Sequence, residues 1–359
     1  MRLLNRLTPR LNSVLGRGYR TLHLYWKNGS MSAWWALVAR NVRRRFDRSV
    51  PIWMTFAPTF RCQCRCAHCY AVRRSVDPKR ELTTEEAKSV LDQARSLGVL
   101  KVAFSGGDPL MREDIVELVR YGHDIGLLTR LSTNGIGLER ERVAQLKDAG
   151  LTLGGVSIDS PDPQEHDRLR GLPGTFAKAT RGIRNLREAG IPVEILTYAS
   201  KANLNGGLEG IVRLGRDLDA CSVYIFFPIA AGRFADSPEE LLTPEERAKV
   251  RAMQDVTCVH CEIPSPRCTC CVFSRTLLYV SPYGDVTPCP FVPYTMGSLL
   301  QHSLAEVWRR NCELLDFEFR DDCFMNYPKA RAAVRAHTQR VAESLGAPAL
   351  SLDDAVARF

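Results

Sequence analysis

An α/β chain is predicted: a partial (β/α)6 TIM-like barrel, a small cysteine-rich α+β auxiliary domain and an N-terminal helical extension. Three observations predict it. Strand-like and helix-like stretches alternate six times between Ile52 and Pro228. Of thirteen cysteines, four fall within residues 62–69 and eight within residues 258–323. The basic charge is concentrated at the N-terminus. At 359 residues and 45% hydrophobic composition the chain can bury a sizeable core. It contains no run of eighteen apolar residues, which speaks against a spanning helix. Clustered cysteines without a secretory signal read as metal ligands in a reducing cytoplasm rather than as a disulfide framework.

Residues 1–50 carry eleven Arg and Lys against the single acid Asp47, a formal +10, while the whole chain is +9. The remainder is therefore near −1, and the basicity belongs to the extension. Leu3, Leu4, Leu7, Leu11, Val14 and Leu15 recur at helical spacing. Trp34 and Trp35 beside an arginine cluster are what an interfacial helix shows. Either these helices cover the open side of the barrel with their arginines solvated, or they touch a membrane surface or an acidic partner. A peripheral position at the inner face of the membrane follows from the second option. No nucleic-acid partner is expected.

Six strands are expected at Trp53–Pro58, Lys101–Ser105, Leu128–Thr133, Thr152–Asp159, Val193–Ala199 and Cys221–Phe227. Helices are expected at Thr84–Leu97, Arg112–Ile125, Leu138–Ala149, Phe176–Ala189 and Leu204–Leu218. Thr83-Thr84-Glu85-Glu86 is a helix start, and Gly98, Gly126, Gly150 and Gly190 stand where helix ends favour glycine. Such alternation argues a parallel sheet with helices outside it. Ligands of barrels of this kind sit at the carboxyl ends of the strands.

The first such end holds Phe60-Arg-Cys-Gln-Cys-Arg-Cys-Ala-His-Cys-Tyr70. Zinc usually takes two C-x2-C pairs from separate loops. Here Cys62, Cys66 and Cys69 are spaced C-x3-C-x2-C on one loop. Three thiolates can hold three irons of a 4Fe–4S cube and leave the fourth open for chemistry.

That spacing resembles the signature of the radical S-adenosylmethionine (SAM) superfamily. The resemblance implies that SAM chelates the open iron and is cleaved to a 5′-deoxyadenosyl radical, with electrons from a flavodoxin- or ferredoxin-type donor. It places His68 and Tyr70 near the adenine. Cys64 departs from the pattern, and is read as a bystander pointing away from the cube, with a redox or ligand role as the alternative. After the second strand, Gly106-Gly107-Asp108 resembles the family's GGE-type motif at the SAM amino group, with Asp108 in the place of Glu. Ser132 and Asn134, in Ser132-Thr133-Asn134-Gly135, match the polar strand end near the SAM carboxylate and ribose. Ser157 precedes His166-Asp167-Arg168-Leu169-Arg170-Gly171, which resembles an HD-x-x-RG signature. By analogy Ser157 touches ligand and Arg170 reaches the SAM carboxylate.

The interval from Cys271 to Cys289 reads C-x12-G-x4-C, and Thr276–Ser281 and Asp285–Thr287 flank a Pro282-Tyr283-Gly284 turn. With Ser303-Leu-Ala-Glu-Val-Trp308 this resembles the start of a SPASM/twitch auxiliary-cluster domain. The full C-x2-C-x5-C-x3-C continuation is missing, which points to one auxiliary 4Fe–4S cluster. Cys271, Cys289 and Cys323 are the expected ligands, and Cys312 is a weaker choice. Cys258, Cys261, Cys268 and Cys270 complete this cluster, build another metal site, or stay free. The domains expected are 1–50, the barrel 51–235, the auxiliary domain 236–328 and a helical tail 329–359. The expected activity is peptide or protein modification of the ribosomal-peptide type. The alternative substrates are a lipid, isoprenoid, tetrapyrrole or other small metabolite, and the rival of another class is a non-catalytic Fe–S or zinc protein.

Overall fold

A computed structural model describes residues 50–72, 79–254, 259–261, 277–315 and 323–346. The expected N-terminal extension and Cys258, Cys268, Cys270 and Cys271 lie outside them. The strands are β1 (Trp53–Thr59), β2 (Lys101–Gly106), β3 (Leu128–Thr133), β4 (Leu153–Ser157), β5 (Val193–Tyr198), β6 (Ser222–Phe226), β7 (Val259–Cys261), β8 (Leu277–Val280), β9 (Asp285–Thr287) and β10 (Gly297–Ser298). The helices are α1 (Thr84–Leu97), α2 (Ile115–Asp124), α3 (Arg140–Asp148), α4 (Pro163–Arg170), α5 (Thr175–Glu188), α6 (Gly207–Asp217), α7 (Pro244–Ala252), α8 (Leu304–Leu314) and α9 (Pro328–Ser344).

One sheet runs β10-β9-β8-β1-β2-β3-β4-β5-β6-β7. Every pairing from β8 to β7 is parallel, so eight parallel strands curve around one lumen where six were expected. The two additions escape periodicity for different reasons. β7 is only three residues long, and β8 is the first strand of the expected hairpin. That hairpin forms, with β8 and β9 antiparallel, and β8 docks in parallel on β1, continuing the barrel's sheet.

Alternation along each strand sorts the core from the lumen. In β3, Thr129, Leu131 and Thr133 are buried against the helices, whereas Leu128, Arg130 and Ser132 are half-buried on the other face. Leu91 and Val90 of α1 and Leu118 of α2 belong to the same buried cluster as Phe104 and Leu131. α1 begins in a Thr83–Glu86 capping box and ends at Gly98 with φ 115°. The single helix expected over Arg112–Ile125 is shorter, starting at Ile115. Asp108 caps a 3-10 turn at Pro109–Met111, and Arg112 is drawn off to the Pro58 carbonyl (2.9 Å) and Asp114 (2.6 Å). Among the described residues no helix is long and apolar enough to cross a membrane.

Leu131→Ala should destabilise the protein by about 2–5 kcal/mol, since Leu131 is fully buried. Leu300→Ala, at a residue 54% exposed, should cost less than about 0.5 kcal/mol. Anaerobic urea titrations of the two variants check the contrast.

Candidate active site

The cysteine loop leaves the carboxyl end of β1 and has no regular structure of its own from Phe60 to Cys66. It is held by other strand ends, backbone against backbone. After β2, the Gly107 and Asp108 amides donate to the carbonyls of Thr59 (3.0 Å) and Arg61 (2.8 Å). At the end of α4, the carbonyls of Arg170 and Leu169 accept from the amides of Arg65 and Ala67, both at 2.9 Å. After β6, the Arg233 amide donates to the Cys69 carbonyl (3.0 Å). Each contact is made beside a glycine because a side chain would not fit. A methyl group on Gly107 would stand 2.3 Å from the carbonyl oxygens of Phe60 and Arg61. On Gly171 it would meet the Arg65 carbonyl at 2.8 Å, and on Gly232 the Cys69 carbonyl at 2.2 Å.

The run from His166 to Gly171 thus has a divided task. Buried His166 accepts at Nδ1 from the Asp159 amide (3.2 Å) and fixes the tip beyond β4. Burial lowers its pKa to about 4, so the ring is neutral at pH 7. The Asp167 carboxylate accepts from the amides of Gly174 (2.5 Å) and Phe176 (2.8 Å), and so holds the start of α5. Arg170 turns inward. Its Nη2 lies 2.8 Å from Asp159 Oδ2 and its Nη1 donates to Cys66 Sγ at 3.6 Å. Burial disfavours the guanidinium charge, but Asp159 and the Cys66 sulfur outweigh it and raise the pKa.

The loop's sulfurs divide in the same way. A hydrogen bond from Cys64 holds the Cys66 thiol down to about 5 against burial, and Arg170 adds to it. The same neighbour lowers Cys62. Burial pushes Cys69 up to about 11. Cys64, expected to point away, instead lines the cavity and hydrogen-bonds both Cys62 and Cys66, which raises its own pKa. Asn134 Nδ2 reaches Cys62 Sγ (3.8 Å) and Gln63 Oε1 (3.1 Å). Among the described residues no group of three His, Cys, Asp or Glu side chains converges on a single metal ion. The N–H groups of Asn134 and Arg170 face the sulfurs of Cys62 and Cys66, as hydrogen-bond donors to a thiolate ligand do.

All three sulfurs open on a cavity of about 930 Å3 inside the barrel. Of the residues singled out from sequence, His68, Tyr70, Gly106, Gly107, Ser132, Asn134, Ser157 and Arg170 line it. The expectation for Asp108 is corrected. It is 1% exposed and does not line the cavity; its carboxylate accepts from Thr133 Oγ1 (2.8 Å) and the amides of Asn134 (2.8 Å) and Leu110 (3.0 Å). It therefore ties the end of β2 to that of β3. His68 stacks on Tyr198, centroids 4.8 Å apart and planes 10° apart, with Nε2 3.8 Å from Asp159 Oδ2. Tyr70 donates to the Gly106 carbonyl (3.4 Å) and meets Phe291 edge-on at 5.6 Å.

Asp159, Tyr198 and Arg130 also line the cavity, and sequence reasoning did not single them out. The signal was available in the period-2 alternation, since Asp159 follows Ser157 by two residues and Arg130 precedes Ser132 by two. In the C-terminal segment Cys312 is buried in α8, and Cys289 and Cys323 are half-buried against the same core.

The "Radical SAM superfamily" model matches residues 56–206, and the SPASM "iron-sulfur cluster-binding domain" model matches residues 270–331. An AdoMet-dependent heme synthase of Methanosarcina barkeri is 32% identical over 276 residues, 69% of this chain and 79% of that protein. A PqqA peptide cyclase of Bradyrhizobium diazoefficiens is 29% identical over 281 residues, 73% of this chain and 74% of that one. Among solved structures, SuiB of Streptococcus suis bound to its precursor peptide SuiA gives a TM-score of 0.57 at 17% identity, covering 72% of this chain. This chain spans only 65% of the length of SuiB. The peptide- and AdoMet-bound anSMEcpe gives 0.58 at 14% identity, covering 86% of this chain and all of that one. Both share the unclosed barrel.

Gly107→Val should displace the cysteine loop, and anaerobically purified protein should then hold several-fold less iron per chain. A variant with full iron content would show that the close approach at Gly107 is dispensable. His166 adds a pH dependence. Its folded pKa, near 4, lies below the ordinary 6.5, so the unfolded chain binds the proton first. Stability should fall as pH drops from about 6.5 to about 4, and the loss should be smaller in His166→Asn, as melting curves across that window would show.

One loop of three cysteines at a barrel mouth, the second iron–sulfur segment and the matched relatives together place the chain in the radical SAM superfamily, as an enzyme that carries 4Fe–4S clusters and binds SAM.

Proposed function

We propose that this enzyme acts on a carboxylate-bearing tetrapyrrole, with an auxiliary cluster in its C-terminal segment assisting the oxidation. The observation that carries this reading is the 32% identity to a heme synthase along 79% of its length. An Fe-coproporphyrin III synthase, 36% identical over 188 residues, covers 52% of this chain and supports it further. Tetrapyrroles of this kind are flat and apolar in body and carry anionic arms. The cavity suits that chemistry, with Phe227, Ile229, Phe234 and Phe291 around it and Arg61, Arg65 and Arg233 among its lining.

In this reading Cys62, Cys66 and Cys69 hold three irons of the catalytic cube. When bound, the cube and SAM together supply a 5′-deoxyadenosyl radical that removes a hydrogen atom from the substrate. The chain's own residues bind and orient. The Gly106–Gly107 turn faces the ligand with backbone, while Ser132, Asn134 and Ser157 offer hydrogen bonds from three strand ends. Arg170, steadied by Asp159, is assigned to the SAM carboxylate. His68, backed by Tyr198, and Tyr70 offer aromatic faces to the adenine. Asp108 is a positioning residue. Cys289 and Cys323, with Cys271, are assigned to the auxiliary cluster, and an external flavodoxin- or ferredoxin-type donor supplies electrons.

Peptide modification is the second reading, favoured by the 29% identity to a PqqA peptide cyclase. An anaerobic assay with dithionite, SAM and iron-coproporphyrin III separates the two. The expected result is release of 5′-deoxyadenosine together with a mass change in the macrocycle, both abolished in Cys66→Ala. Steady 5′-deoxyadenosine release with the macrocycle returned intact would rule out the tetrapyrrole reading.

A further inference from the structure

The lumen continues below the cysteine loop to a polar floor that radical generation does not use. We propose that this floor is a carboxylate-binding subsite, in which Arg130 receives one anionic arm of the substrate. This rests on the tetrapyrrole reading above.

Arg130 lies on β3 one step below Ser132 on the lumenal face. Its guanidinium carbon stands 5.7 Å from the ring centroid of Trp53 on β1 and 5.8 Å from that of Tyr224 on β6. All three residues line the cavity. Arg130 Nη2 lies 2.6 Å from Glu194 Oε2 on β5, and Glu194 Oε1 accepts from Ser222 Oγ at 2.8 Å. On the strand between β3 and β5, Leu153 pairs with Arg130 while Gly155 pairs with Ser132 and with Glu194, so the residue beside Glu194 on that strand brings no side chain between the pair.

A buried ion pair contributes little to stability, because desolvation offsets much of its attraction. Apolar side chains would close this end of the barrel as well. Glu194, 3% exposed, meets one part of the guanidinium, while Arg130 Nε, shielded from solvent, has no acceptor in the structure. A guanidinium offers five N–H donors in a fixed fork, and the partner that matches them is a planar carboxylate. The two aromatic rings favour the cation and keep water from it. Glu194 fixes the fork and balances its charge while the subsite is empty. The radical SAM site lies at the upper end of the same cavity, so an arm seated on Arg130 would be drawn past Ser132 and Ser157 toward the reacting end.

The test is equilibrium titration of the reconstituted holoenzyme with iron-coproporphyrin III and with its tetramethyl ester, followed by absorbance. The wild-type protein should bind the acid at least about tenfold more tightly than the ester, as expected for hydrogen bonds to a charged group. Arg130→Met should lose most of that preference, and Arg130→Lys should keep part of it. Arg184→Met, changed at an exposed position of α5 outside the cavity lining, should retain it, which excludes long-range attraction as the cause. Iron content of each variant verifies that it is folded. Equal acid-to-ester preference in the wild type and Arg130→Met would make the ion pair a plug and overturn the subsite while leaving the tetrapyrrole reading intact. If neither macrocycle binds the wild type, the tetrapyrrole reading fails and the subsite falls with it.

Discussion

The contact on which the site depends is backbone on backbone. A cysteine loop without regular structure of its own is clasped by three turns that leave β2, α4 and β6, and each turn brings a glycine to the point of approach. Hydrogen bonds between main-chain amides and main-chain carbonyls tie the loop to all three turns, and side-chain contacts such as Asn134 to Gln63 add to them. The cysteines therefore remain available to a cluster, and Arg170, Asn134 and Tyr70 remain available to sulfur and ligand. A side chain at Gly107, Gly171 or Gly232 would act as a wedge, and nothing nearby could yield except the loop itself. The precision of the sulfur positions thus comes from the barrel, whose packed strands are the rigid element.

Two arginine–carboxylate pairs lie within the lumen at different depths. Arg170 with Asp159 stands at the sulfurs, and Arg130 with Glu194 at the floor. Both arginines are positioned by their partners, and both retain donors beyond those partners. In a low-dielectric lumen such a pair holds a cation in place while reducing the cost of its burial. The lining of the same cavity also carries small and hydroxyl-bearing groups, Thr55, Ala103, Ser132 and Ser157 among them. Anionic groups favour the two ends of this lumen, and its middle tolerates apolar matter.

The legibility of these features in the sequence follows physical range. Strands β1 to β6 and helices α1, α2, α3, α5 and α6 were readable because each shows its period and because Gly98, Gly126, Gly150 and Gly190 mark helix ends with positive φ, whereas the eight-residue α4 went unread. The cysteine loop was readable from its spacing together with the motifs that follow it at later strand ends. Asp108 was misjudged because a motif states which residue follows two glycines, whereas its burial depends on Thr133 and Asn134 from the next strand. Cys64 was misjudged for a related reason. Loop spacing says nothing about a thiol turning back on its neighbours. Arg130 and Glu194 are 64 positions apart and meet only because β3 and β5 flank a strand bearing glycine, which local pattern does not reveal.

The docking of the hairpin on β1 extends the same logic to the C-terminal segment. Because β8 pairs with the strand that ends in the cysteine loop, the chain following the hairpin is delivered to the loop's side. Tyr283 of the turn packs edge-on against Phe60 at 5.7 Å, and Phe291 packs against Tyr70, the residue after Cys69. Cys289 stands only two positions before Phe291. Cys289 is therefore linked to the last residue of the cysteine loop through one aromatic contact, and the two residues that follow it, Pro290 and Phe291, line the cavity.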